Sequence, residues 1–121
     1  MTTQEVADKL VALCREGKFR EATDALYSDD IVSLEAAAPP GGSREVKGIA
    51  AVHAKGDWWV ENHEVHSSTV EGPIVAGPFF TVRFKLDVTN KPSGNRMTMD
   101  ELAVYKVADG KIVWEEFFYP V

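Results

Sequence analysis

Cysteine, positive charge and long apolar runs are all scarce in this chain, and each scarcity excludes something. Cys14 is the only cysteine, so no internal disulfide can form, which suits a reducing cytosol. Thirteen Lys and Arg against nineteen Asp and Glu leave a formal net charge of −6, the wrong sign for a nucleic-acid or anionic-membrane surface. No segment approaches the ~20 apolar residues of a membrane span. The opening MTTQEVADK lacks the charged start and apolar run of a secretion signal. A cytoplasmic protein without nucleic-acid or membrane partners is expected. Gly41-Gly42 in APPGG lacks the Lys and Ser/Thr of a phosphate loop, and there is no dinucleotide fingerprint. His53, His63 and His66 have no ligand spacing, and no Cys or Asp completes a set, so neither metal nor cofactor is expected.

What the chain does have is a β-rich second half. PFFTVRFKLDVTN, RMTMDELAVYKV and KIVWEEFFYPV are rich in β-branched and aromatic residues, and the KPSG and ADG between them carry turn chemistry. They predict a meander of antiparallel strands, preceded by a strand HEVHSSTVEGP that ends at Gly72-Pro73. Upstream, TTQE predicts a capping box, and Val6, Leu10, Leu13 and Cys14 fall at helical spacing before Gly17. Cys14 reads as buried filler. A second helix carries Phe19, Ala22 and Leu26, and IVSLE reads as a short strand. AAAPPGGSRE reads as a loop without regular structure. GIAAVHAKGDWWVEN predicts a third helix with Ile49, Val52, Gly56, Trp59 and Val60 on one side. Residues 1–121 thus form one α+β domain, with helices covering one face of the sheet.

Alternation along the strands selects the candidate residues. Glu101 shares its face with Met97, Met99, Ala103, Tyr105 and Val107, although Leu102 and Val104 make the other face apolar too. On the last strand Val113, Glu115, Phe117 and Tyr119 form one row, and Ile112, Trp114, Glu116 and Phe118 the other. Apolar rows on both faces call for a second cover, and a homodimer through the outer sheet face supplies it. Trp58 and Trp59 differ by ~100° on the helix, so one of them turns from the core toward a pocket. His66 is the histidine taken to line that pocket.

The order of elements, with the Gly17 break, YSDDIVSLE, the GIAAVHAKGDWW helix and the ADGKIVWEEFFY ending, resembles the cone-shaped nuclear transport factor 2-like superfamily. The SnoaL-like domains, of polyketide-cyclase type, are the nearest resemblance within it, over essentially the whole chain. The resemblance implies a curved antiparallel sheet wrapped around N-terminal helices, with an enclosed apolar pocket. In the related ketosteroid isomerases, a tyrosine, a small residue, two aspartates and a short strand lead to a catalytic base. The same spacing from Tyr27 arrives here at Glu35. Their second acid, on the penultimate strand, corresponds to Glu101 or Leu102, and alternation favours Glu101. The same superfamily count turns the row of Glu115, Phe117 and Tyr119 inward. The phenol of their first helix has no counterpart, because the count lands on Leu10, which argues against ketosteroid isomerisation itself. An epoxide-hydrolase arrangement would need Arg83 and Asp87 to point inward, and both alternate with apolar neighbours.

Together these readings imply a small, largely apolar carbonyl-type ligand. Its enolate chemistry would be isomerisation, cyclisation or dehydration, with Glu35 as base and protonated Glu101 as hydrogen-bond donor. Trp58, Trp59, His66, Tyr105, Glu115, Phe117 and Tyr119 would line the pocket. A non-catalytic ligand-binding or dimerisation domain is the alternative.

Overall fold

A computed structural model describes residues 1–121. Helices α1 (Thr3–Arg15) and α2 (Phe19–Leu26) lead into β1 (Tyr27–Leu34), the short β2 (Glu45–Lys47) and α3 (Ile49–Asn62). Four strands follow: β3 (His63–Ala76), β4 (Phe79–Asn90), β5 (Arg96–Ala108) and β6 (Lys111–Phe118). The capping box forms as expected: the Glu5 amide donates to Thr2 Oγ1 at 3.1 Å, and the Thr2 amide donates to Glu5 Oε1 at 3.0 Å. No helix is long and apolar enough to cross a membrane.

The sheet runs in the order β2-β1-β6-β5-β4-β3. Every neighbouring pair is antiparallel except β1 with β6, which run parallel because the first long strand is met by the last only after the whole meander. Val6, Ala7, Leu10, Val11 and Cys14 of α1, with Ala22 and Leu26 of α2, bury themselves against the inner sheet face. There they meet Phe80, Val82, Phe84, Ala103, Tyr105 and Ile112. Phe80 and Tyr105 stack at 4.6 Å between ring centres.

Four sequence expectations need correction, the last of them on β6. Glu45–Lys47 forms β2 against β1, because Val46 finds a pairing edge that composition alone does not reveal. β3 does not end at Gly72-Pro73. The pair, joined by a cis peptide bond, sits in a bulge between Glu71 and Ile74, and the strand continues to Ala76. Only Val52 of α3 is buried; Gly56 meets no neighbour and Val60 is exposed, so the helix rests lightly on the sheet.

The bulges also decide which side chains face inward. On β6 the register jumps between Lys106–Trp114 and Val107–Ile112. Ile112, not Val113, therefore shares the inner face with Glu115 and is fully buried. Gly72 holds the β3 bulge at φ 123°, where a Cβ would come within 3.0 Å of the Thr81 carbonyl oxygen. Gly72→Ala is expected to cost about 1–3 kcal/mol in urea denaturation, since both strain and crowding act against it.

Candidate functional site

The strand registers line up three rows on the inner face. Parallel pairing sets Ser33 of β1 beside Glu115 of β6, and antiparallel pairing sets Tyr105 of β5 on the other flank of Glu115. One step along, Phe117 pairs with Ala103. Beyond the Leu102–Phe118 pair, alternation carries Glu101 and Tyr119 to the end of the same face. Glu35 follows β1 directly, its backbone held by Arg44: the Glu35 amide donates to the Arg44 carbonyl at 2.8 Å, and Arg44 Nε donates back at 2.9 Å.

A polar chain links these positions. The Tyr27 hydroxyl donates a short hydrogen bond to Glu115 Oε2, and Ser33 Oγ donates to Glu115 Oε1 at 2.9 Å. Lys55 reaches down from α3 to the Ser33 hydroxyl at 2.6 Å and to Glu35 Oε1 at 2.9 Å. The Tyr119 hydroxyl donates to Glu35 Oε2 at 3.0 Å, and the Lys55 ammonium lies 5.1 Å from the Phe117 ring centre.

Burial and charge perturb these groups unequally. Burial raises the Glu115 carboxyl above the usual carboxylate range, partly offset by the donors Tyr27 and Ser33 and by the Lys55 charge. Burial, then the charge of Glu115, pushes the Tyr27 phenol well above its ordinary value. Tyr119 is pushed up to about 12 by burial and by Glu35. Glu101 is pushed up to about 7, first by burial and then by the neighbouring Glu35 and Glu115 charges, with Lys55 pulling the other way. Only burial and charge act on it; no hydrogen bond does.

Of the residues singled out from sequence, Glu35, Glu101, Tyr105, Glu115, Phe117 and Tyr119 come together on this face. Trp58 does not: its side chain is exposed and meets His63 edge-on at 6.4 Å between ring centres. Trp59 stacks on His63 at 4.4 Å, at the α3–β3 junction. His66 falls in a bulge of β3, exposed, with its Nε2 at 2.7 Å from Thr89 Oγ1 beside the Arg96–Asp87 ion pair, which removes it from the inner face. Arg83 also points outward, paired with Asp100 at 2.8 Å. No three His, Cys, Asp or Glu side chains cluster as a metal site would require. Cys14, pushed up to about 12 by burial, is no nucleophile.

Sequence reasoning missed Ser33 and Lys55. Ser33 shares its parity with Ile31 and Glu35, and Lys55 stands three residues after Val52 and four before Trp59 on one helix face, so both signals were there. The Lys55 and Glu35 side chains keep 23% and 26% of their surface exposed, so this polar chain is partly open to water. An open groove of about 390 Å³ is lined by Glu101 together with the outward-facing Arg83, Leu102 and Phe118 and with Asp100.

The sequence matches the family model of the SnoaL-like domain over residues 1–119. The chain belongs to the SnoaL-like domain family. A Mesorhizobium loti structure provisionally described as a SnoaL-like polyketide cyclase shares 44% identity with this SnoaL-like chain. The two superpose with a TM-score of 0.93, covering 98% of this chain and 100% of that one. A Bacillus subtilis structure provisionally described as an isomerase shares 21% identity at a TM-score of 0.77, covering 99% and 90%. A Xanthomonas campestris protein of unknown function with a cystatin-like fold shares 15% at 0.79, covering 100% and 92%. These last two likenesses concern the fold alone. Against curated proteins the sequence has no match.

Proposed function

We propose that this SnoaL-like domain is a cofactor-independent acid–base enzyme. It would act on a small, largely apolar carbonyl compound by moving a proton next to the carbonyl, as in isomerisation, cyclisation or dehydration. One observation carries the reading. Of the three carboxyls on the inner face, Glu35 and Glu115 have both oxygens engaged, whereas Glu101 has no partner. A partly desolvated carboxyl kept free at the end of an aromatic-lined face is placed to exchange protons with a ligand. Glu101, rather than the hydrogen-bonded Glu35, is therefore the proton carrier. Glu35 holds Lys55 and Tyr119 in place, and Phe117 and Tyr119 offer the apolar wall. The relative described as a polyketide cyclase supports the reaction class.

The test uses acetylacetone, ethyl acetoacetate and cyclohexenone in heavy water, with α-proton exchange followed by proton NMR. The protein is expected to accelerate exchange of at least one probe by on the order of 10²–10⁴ over buffer. Binding without acceleration would instead mark a non-catalytic ligand-binding domain.

The outer sheet face exposes Ile74, Phe79, Leu102 and Phe118, and a second copy of the chain is the proposed cover. Sedimentation should then report a dimer that Leu102→Lys drives to monomer.

A further inference from the structure

Enolate chemistry needs more than a base: the electron pair released from carbon must come to rest on an oxygen that something holds. The helix-one phenol position is Leu10, inside the core, and cannot serve. Arg20, Arg44, Arg83 and Arg96 are ion-paired to carboxylates, Arg15 is spent on the Val70 carbonyl of β3, and Lys55 is the cation that reaches Ser33 and Glu35. A lysine ammonium has three N–H donors. Two are accounted for, one to Ser33 Oγ and one to Glu35 Oε1. The third has no acceptor, and the Phe117 ring below the ammonium offers only its π face. That ring belongs to the residue paired with Ala103, which precedes Tyr105 and follows Glu101 on the inner face of β5. A free carboxyl and a spare charged donor thus address one space from opposite elements, β5 and α3.

We infer that Lys55 is a second catalytic residue, its third N–H binding the substrate's carbonyl oxygen and holding the enolate that forms when Glu101 removes the α-proton. This rests on the proton-transfer reading of Glu101. The Glu101 carboxylate takes the proton, and the C–H pair becomes a carbon–carbon π bond. The carbonyl π pair moves to the oxygen beside Lys55. On collapse that pair returns, and the proton goes from Glu101 to the same or another carbon. Nothing is oxidised or reduced. The ligand class narrows accordingly to neutral carbonyl compounds, since carboxylates would meet Glu35, Glu101 and Glu115 against one ammonium.

The experiment compares wild type, Lys55→Met, Lys55→Arg and Glu101→Gln in the acetylacetone exchange assay, with circular dichroism to verify folding. Lys55→Met should lower kcat by about 10²–10³ with little change in KM, and Lys55→Arg should restore part of it. The groups facing Glu101 are Glu35, Lys55, Glu115 and the phenols Tyr105 and Tyr119. Lys55 lowers the Glu101 value, so Lys55→Met should move its titration midpoint upward, and Glu35→Gln should move it downward. A structural tether alone would leave kcat per folded molecule intact. In the wild-type protein, saturating acetylacetone should also shift the Lys55 side-chain NMR resonances, a readout that does not depend on a variant folding. If Glu101→Gln abolishes exchange while folded Lys55→Met keeps it within threefold of wild type, or if the Lys55 resonances do not move, the role of Lys55 is refuted and the proton carrier stands. A wild-type protein without exchange overturns both.

Discussion

Glu101→Gln is expected to abolish proton exchange, by a factor on the order of 10²–10⁴, and to make the protein more stable above neutral pH. Both effects have one cause. Glu101 is held in a poorly solvated position without a partner, and its carboxyl is pushed from 4.5 up to about 7. A raised folded value means that the protonated form favours folding. The contribution is full below the unfolded value of about 4.5 and is lost as pH climbs through about 7. The interval corresponds to at most about 3 kcal/mol, and the partial exposure of Glu101 reduces it to roughly 1–2 kcal/mol. Glutamine never ionises, so it escapes the loss. Urea denaturation should find the two proteins alike in acid and the variant ahead by that amount in mild alkali. A variant that is less stable at every pH would show that Glu101 makes a structural bond.

Glu115→Ala should be the most damaging polar substitution, costing about 3–5 kcal/mol. It leaves the buried Tyr27 hydroxyl without its acceptor, frees Ser33, and opens a void at the junction of β1, β5 and β6. Lys55 then loses part of the seat that ties the lightly packed α3 to the sheet. Glu115→Gln keeps the volume and an acceptor for Tyr27, so its cost should be well under half as large. Because burial raises Glu115, its protonated form also favours folding, and that stabilisation fades as pH rises above the ordinary carboxylate range. The stability gap between Glu115→Gln and wild type should therefore shift in favour of the glutamine as pH increases. Equilibrium denaturation at acid and alkaline pH measures both effects.

Much of this architecture was legible in the sequence because periodicity reports burial directly. Val6, Leu10 and Cys14 mark the inner stripe of α1, and alternation through Glu101, Ala103, Tyr105 and Val107 marks the inner face of β5. Alternation fails where the ladder slips. The β6 bulge exchanges Val113 for Ile112, and the β3 bulges carry the strand past Gly72-Pro73 and turn His66 outward. Register is a long-range property of two strands, and one strand's sequence does not state it. The site was half visible for a related reason. The three carboxyls stand out within apolar rows, but Lys55 gains its meaning only when α3 is laid over the β1–β6 pair. Its place on the helix reads equally well as a solvated charge.

The most direct test of this account is the titration of the Glu101 side-chain carboxyl by carbon-detected NMR in the unliganded protein. A midpoint at about 7 is predicted, rising when Lys55 is replaced by Met. A midpoint near 4.5, unmoved by that substitution, would mean a solvated glutamate outside the field of Lys55 and would contradict the proposed site.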